Sequence, residues 1–156
     1  QRVMELFALS AEDKHVTLNL RGDAWVTGDR LMIQRAISNL LSNAIRHTPE
    51  ASTVLLLVET YGQSASLSVG NPGRGIDAHH LPHVFERFYR ADSSRTRAEG
   101  GTGLGLAIVR SIMLLHQGHA DVNSQPGRFT RFSLVFPLPD DAPTGTTPAA
   151  PAKSAT

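Results

Sequence analysis

The stretch GGTGLGLAIVRSI, Gly100 to Ile112, constrains the fold more than any other part of the chain. Glycines alternate at Gly101, Gly103 and Gly105 and run straight into an apolar helical pattern. Glycine inside a helix costs roughly 0.5–1 kcal/mol relative to alanine, so something must offset that cost here. Two reasons are open: a backbone that has to approach a ligand closely, or a hinge for a segment that has to move. The pattern is not a Walker A loop, because no Lys-Ser/Thr follows. Nor is it the dinucleotide fingerprint, because Leu106 stands where the third glycine belongs. In either case the turn delivers a helix N-terminus, whose free N–H groups and positive dipole end suit an anion such as phosphate.

Leu104, Ile108, Ile112 and Leu115 carry that helix to a stop at Gly118. An earlier helix is bounded by Asp29 as N-cap and Pro49 as terminator, with Ile33, Ile37, Leu40, Leu41 and Ala44 as its apolar stripe. HVTLNL, His15 to Leu20, alternates as a strand does. TVLLLVET and SASLSVG form a hairpin about Tyr61-Gly62-Gln63, and a closing hairpin turns at Pro126-Gly127. The order β, α, ββ, loop, α, ββ predicts an α/β two-layer sandwich. Its mixed, mostly antiparallel sheet is covered on one face by about three helices. Val3, Leu6, Phe7 and Leu9 near the start have helical spacing, and residues 1–14 read as the end of a helix from a preceding unit. With no initiating Met, the chain reads as a piece of something longer. Residues 139–156, rich in Pro, Ala and Thr, read as a disordered tail.

Composition narrows the function. A chain of 156 residues that is 40% hydrophobic can build one sizeable core. A net charge of +1 offers no global attraction to nucleic acid or to an anionic membrane. The absence of cysteine excludes disulfides, thiolate metal sites and thiol catalysis. No apolar run reaches the ~18–20 residues of a membrane span.

Asn39, Asn43, Arg46 and His47 fall on one face of the first long helix, beside its apolar stripe. An Asn oxygen is a hard, neutral ligand suited to Mg²⁺, and an arginine suits phosphate. A solvated polar face would look the same. NPGRGI, Asn71 to Ile76, follows a strand directly. Gly73 and Gly75 permit a close backbone approach, as an ordinary turn also would.

Taken together and in order, these motifs resemble the ATP-binding catalytic domain of bacterial sensor histidine kinases, within the gyrase, Hsp90, histidine kinase and MutL ATPase superfamily. NLLSNAIRHT resembles the N box, NPGRGI the G1 box, FERFYRADSSR the F box and GTGLGLAIV the G2 box, over roughly residues 15–138. The wording NPG, HLPHVFERFYR and GLGLAIVRSI is most similar to the heavy-metal, copper-type sensors. The resemblance implies the Bergerat ATP-binding fold with a lid over about 77–101, and ATP and Mg²⁺ as cofactors. It implies that Asn43 holds Mg²⁺, that Arg46 and His47 contact phosphate or ribose, and that Gly73, Gly75 and Ile76 lie beneath adenine. It further implies that Phe85 and Phe88 anchor the lid, that Phe88 also contacts the nucleotide, that Arg90 reaches the γ-phosphate, and that Gly101, Thr102, Gly103, Leu104, Gly105 and Leu106 form the phosphate-facing hinge.

The pattern is departed from at Asn71, where the family's Asp accepts from the adenine amino group. Asn keeps an acceptor but loses the charge, which implies weaker adenine binding. Asn39 stands where hydrolysing members carry a Glu base. It binds nucleotide without activating water, which suits transfer to a protein histidine and counts Asn39, Arg46 and Arg90 as the catalytic set. None of the seven histidines has the acceptor context, so the acceptor belongs to a dimerisation domain outside the chain.

The implied partners are that domain and a response regulator, not nucleic acid. The whole protein is expected to be a homodimer in the inner membrane, with this chain as a monomeric cytoplasmic portion. A nucleotide-binding module without kinase activity is the alternative reading. A serine-kinase anti-sigma factor shares the fold but stands as a complete small protein. HHLPH, with His79, His80 and His83, lacks a closed ligand set and reads as exposed imidazoles at the start of the lid. Arg87, Arg90, Arg95 and Arg97 read as a solvated lid face, one or two of them meeting phosphate.

Overall fold

A short polar cap, an apolar stripe and a proline stop are enough to place the longest helix. α2 spans Arg30–His47, and the Asp29 carboxylate accepts from the Met32 N–H at 2.9 Å. Its C-cap Thr48 is buried and donates through Oγ1 to the Ala44 carbonyl at 2.6 Å, just before Pro49. The computed structural model describes residues 2–91 and 102–138. Around α2 the order is α1 (Arg2–Asp13), β1 (Thr17–Arg21), β2 (Thr53–Tyr61), β3 (Ser64–Pro72), a 3-10 turn at Leu81–His83, α3 (Gly105–Leu115), β4 (His119–Gln125) and β5 (Phe129–Pro137). This is the predicted order of strands and helices, preceded by α1 where residues 1–14 read as helix. The expected tail, residue Gly101 and most of the charged lid stretch lie outside the described residues.

The five strands form one sheet in the order β1-β2-β3-β5-β4. β1 runs parallel to β2 and every other pair is antiparallel, so the sheet is mixed and mostly antiparallel as expected. Alternate residues of the strands face the helices: Val54 and Leu56 on β2, Val69 on β3, and Phe132, Leu134 and Phe136 on β5. They share one core with Leu40, Leu41 and Ala44 of α2, Val109, Ile112 and Met113 of α3, and Val3 and Ala11 of α1. No helix among the described residues is long and apolar enough to cross a membrane.

Three local expectations change. α1 runs to Asp13 and β1 starts at Thr17, not at His15. His15 takes φ +54, with its N–H on the Glu12 carbonyl and the Val16 N–H on that of Ala11. That pair of bonds closes a helix with a left-handed residue, normally a glycine, so the stop was invisible in the sequence. In α3 the buried face is Ala107, Val109, Ile112 and Met113, whereas Leu115 is 70% exposed. The helix closes one residue before Gly118, at Gln117 with φ +57, while the Gly118 N–H reaches the Met113 carbonyl at 2.9 Å. In α1, Val3 and Phe7 turn towards the core but Leu6 and Leu9 are exposed.

Candidate functional site

At one end of the sheet the core-facing rows of β3 and β5 change from apolar to polar. Ala65, Leu67 and Val69 lead to Asn71, and Phe136, Leu134 and Phe132 lead to Thr130. The register pairs Asn71 directly with Thr130, and both are buried. Asn71 is 5% exposed and donates from Nδ2 to the Pro72 carbonyl at 2.9 Å, so its Oδ1 remains the acceptor end of the amide. Ser124 ties the neighbouring strand in. Its hydroxyl donates to the Phe129 carbonyl, lies 2.9 Å from Thr130 Oγ1, and accepts from the Ile76 N–H at 2.8 Å.

The glycine turn that follows is held against the β4–β5 turn. The Gly73 N–H bonds the Arg128 carbonyl and the Gly127 N–H bonds the Arg74 carbonyl. Gly75 has φ +68, and a Cβ there would stand 2.2 Å from the Gln125 carbonyl oxygen. Only glycine satisfies both the backbone sign and the space. Ile76 then packs against the core.

Asn39 and Asn43 are half-buried on α2, while Arg46 and His47 are exposed at its C-terminal end. Asn39 Nδ2 is buried with no hydrogen-bond partner among the described residues. A Cβ on Gly105 would sit 3.7 Å from Asn39 Oδ1, which places the start of α3 over this amide. No side chain caps α3, because its N-cap is Leu104. Ile108 makes the first bond back to Leu104, so the N–H groups of Gly105, Leu106 and Ala107 are the helix-start donors. Leu106 itself packs on the core.

The described part of the segment expected to form the lid contains the 3-10 turn. Val84 is buried, and Phe85 meets Phe132 edge-to-face at 5.9 Å. Phe88 differs from Phe85: its ring is 71% exposed at φ +63. The link at Phe88 is made by the backbone, whose N–H bonds the Gly103 carbonyl at 2.9 Å. Among the described residues, Phe85 packs on the core while the Phe88 ring does not. Arg90 and Thr102 are exposed.

The structure thus groups Asn71, Gly73, Gly75 and Ile76 at the end of β3 beside the β4–β5 turn, and brings Gly105 at the start of α3 next to Asn39 of α2. Thr130 and Ser124 went unnoticed in the sequence. The available signal was a polar residue on the core-facing parity of β5. The donor set fits a phosphate with a hard divalent cation: neutral amide oxygens, an orphaned amide N–H, and an uncapped helix start.

Residues 28–140 match the family described as "Histidine kinase-, DNA gyrase B-, and HSP90-like ATPase". The sensor protein IrlS of Burkholderia pseudomallei is 47% identical over 137 residues, covering 88% of this chain and 30% of that protein. The sensor histidine kinase CusS of Escherichia coli K12 is 46% identical over 137 residues, covering 87% of this chain and 28% of that protein. Among solved structures, the mycobacterial sensor histidine kinase MprB superimposes with a TM-score of 0.78 at 31% identity, over 87% of this chain and 91% of that one. The chain spans less than a third of the length of either sensor protein.

Proposed function

Because this chain belongs to the histidine kinase-, DNA gyrase B- and HSP90-like ATPase family, we propose that it is the ATP-binding catalytic domain of a sensor histidine kinase. In this reading it binds Mg-ATP and passes the γ-phosphate to a histidine on a dimerisation domain outside the chain. The observation that carries the reading is the uncapped start of α3 beside the Asn39 amide, whose buried Nδ2 has no hydrogen-bond partner among the described residues. A buried N–H without a partner costs about 1–3 kcal/mol, and a ligand oxygen that reached Nδ2 would remove that cost.

The adenine lies against Asn71, Gly73, Gly75 and Ile76, its amino group donating to Asn71 Oδ1. Asn43 supplies an oxygen to Mg²⁺, which when bound neutralises phosphate charge and fixes the phosphate geometry. Arg46 and His47 meet phosphate or ribose, Arg90 meets the γ-phosphate, and Gly101, Thr102, Gly103, Leu104, Gly105 and Leu106 present backbone N–H groups. Asn39 orients phosphate but, as an amide, takes no proton from water. Transfer therefore goes to an imidazole, a nucleophile that needs no such base.

The partners are the dimerisation domain and a response regulator. The whole protein is a homodimeric inner-membrane sensor with this domain in the cytoplasm, and the wording of NPGRGI and HLPHVFERFYR supports a heavy-metal signal. Calorimetry of ATP with and without Mg²⁺ tests the reading. Binding is expected to require the metal and to be lost in Asn43→Ala. Equal binding of ATP by that variant would overturn the assignment.

A further inference from the structure

The turn after the glycine loop gathers three metal-type donors that the nucleotide site does not use. One donor atom from each of Asp77, His79 and His80 lies within 4.8 Å of those of the other two. The backbone holds them together. The His80 N–H bonds the Asp77 carbonyl at 2.9 Å, and the Ser124 hydroxyl fixes the preceding Ile76. The His79 and His80 rings lie against each other, with centroids 3.9 Å apart. His80 is half-buried, and its Nδ1 is engaged with the Tyr89 hydroxyl, which leaves Nε2 as its open nitrogen. The remaining histidine of this region, His83, is instead paired with Glu86 at 2.8 Å. What HHLPH lacked in the sequence was a carboxylate, and Asp77 supplies it from the other side of the turn.

We propose that Asp77, His79 and His80 form a binding site for a borderline first-row divalent ion, with Zn²⁺ as the best chemical match and water completing the coordination. Two imidazoles and a carboxylate suit zinc and disfavour magnesium, which prefers oxygen alone. Zinc bonds of about 2.0–2.2 Å in a tetrahedron require donors about 3.3 Å apart. The site requires the exposed Asp77 and His79 side chains to rotate to close that gap. Tyr89 acts as the outer partner that orients His80. Tyr89 also follows Phe88, whose N–H bonds Gly103, so an ion here bears on the first half of the lid.

The site stands whether or not the nucleotide reading does, and its test omits nucleotide. Zn²⁺ is titrated into the chain by calorimetry in a non-chelating buffer, and Co²⁺ is followed by its visible ligand-field absorption. The expected result is one equivalent, weakened more than ~10-fold in His79→Gln/His80→Gln and in Asp77→Asn. His83→Gln and His119→Gln should leave it unchanged, the second because His119 sits in a separate pair with Asp121. Tyr89→Phe should weaken binding by about 10-fold without changing stoichiometry. Circular dichroism verifies that each variant is folded. No binding by the unaltered chain, or unchanged binding by the folded double variant, would overturn the proposal.

Discussion

Replacing Asn71 by Asp separates two effects of opposite sign at one atom. Asn71 is 5% exposed, and its Nδ2 donates to the Pro72 carbonyl at 2.9 Å. Asp has no donor to offer, so two acceptors would face each other in a buried position. Leaving a buried acceptor unpaired costs about 1–3 kcal/mol, and charge adds to that. At about 2–4 °C per kcal/mol for a chain of this size, a loss of ~2 kcal/mol lowers the melting temperature by about 4–8 °C. Burial raises the pKa of the new carboxyl in the folded state. The deficit should therefore be smallest near the unfolded value of about 3.9 and grow as pH rises to 7.

With ATP bound the balance changes. A charged acceptor for the adenine amino group replaces a neutral one, a gain of about 1 kcal/mol or roughly fivefold in affinity. Guanine carries an acceptor, O6, at the same ring position and gains nothing. Thermal melts of the free chain and calorimetry with Mg-ATP and Mg-GTP read the two effects separately. An unchanged melting temperature would refute the buried donor geometry. ATP affinity that is unchanged or lower in the folded variant would refute the adenine role of Asn71.

Three further substitutions probe the frame around that contact. Gly75→Ala puts a Cβ 2.2 Å from the Gln125 carbonyl at φ +68. The left-handed backbone alone costs about 1–2 kcal/mol, so the melting temperature should fall and nucleotide binding should weaken with it. His116 joins the two helices: Nδ1 donates to the Ile112 carbonyl at 2.7 Å and Nε2 accepts from the Asp29 N–H at 3.0 Å. His116→Ala should therefore cost about 2 kcal/mol in urea denaturation, from two bonds of ~1 kcal/mol each. Asn39→Leu removes the orphaned amide with little change in volume. The free chain should become more stable by about 1 kcal/mol while ATP binding is lost, and a destabilised variant would show that the amide has a partner in the free protein.

How much of this was legible depended on whether the physical cause was local. α2 was readable from end to end, because Asp29, the stripe from Ile33 to Ala44 and Pro49 act over a few residues. The two hairpins were readable from Gly62 and from Pro126-Gly127, which carry their turns in their own backbone preferences. The stop of α3 was announced by Gly118, whose N–H bonds the Met113 carbonyl, but the left-handed residues His15 in α1 and Gln117 in α3 were not legible, because neither is glycine. Thr130 was missed because its importance comes from pairing with Asn71, 59 positions away (130 − 71), and a strand register is not written in either strand alone. The difference between the two phenylalanines was hidden for the same reason. Phe85 and Phe88 look alike in FERFYR, and only the position of Phe132 decides which ring has something to pack against.

The alternating glycines now have separate causes. Gly103 is at φ +69, and a Cβ there would stand 2.9 Å from the Phe88 Cα while its carbonyl holds the Phe88 N–H. It is required because the two ends of the lid cross at this point with their backbones in contact. Gly105 has no such strain; the nearest atom to an added Cβ is Asn39 Oδ1 at 3.7 Å, an ordinary contact distance. An alanine at 105 would fit the protein but stand at the mouth between Asn39 and the helix start, where a phosphate oxygen would have to come. Close approach therefore has two forms at neighbouring positions: to the chain's own backbone at Gly103, and, in the proposed reading, to phosphate at Gly105. Gly103→Ala should disturb the fold of the lid crossing and lower stability. Gly105→Ala should leave stability unchanged or higher, since alanine is the better helix former by roughly 1 kcal/mol, and should act on nucleotide affinity alone. A Gly105→Ala chain that binds Mg-ATP normally would show that phosphate does not reach the start of α3.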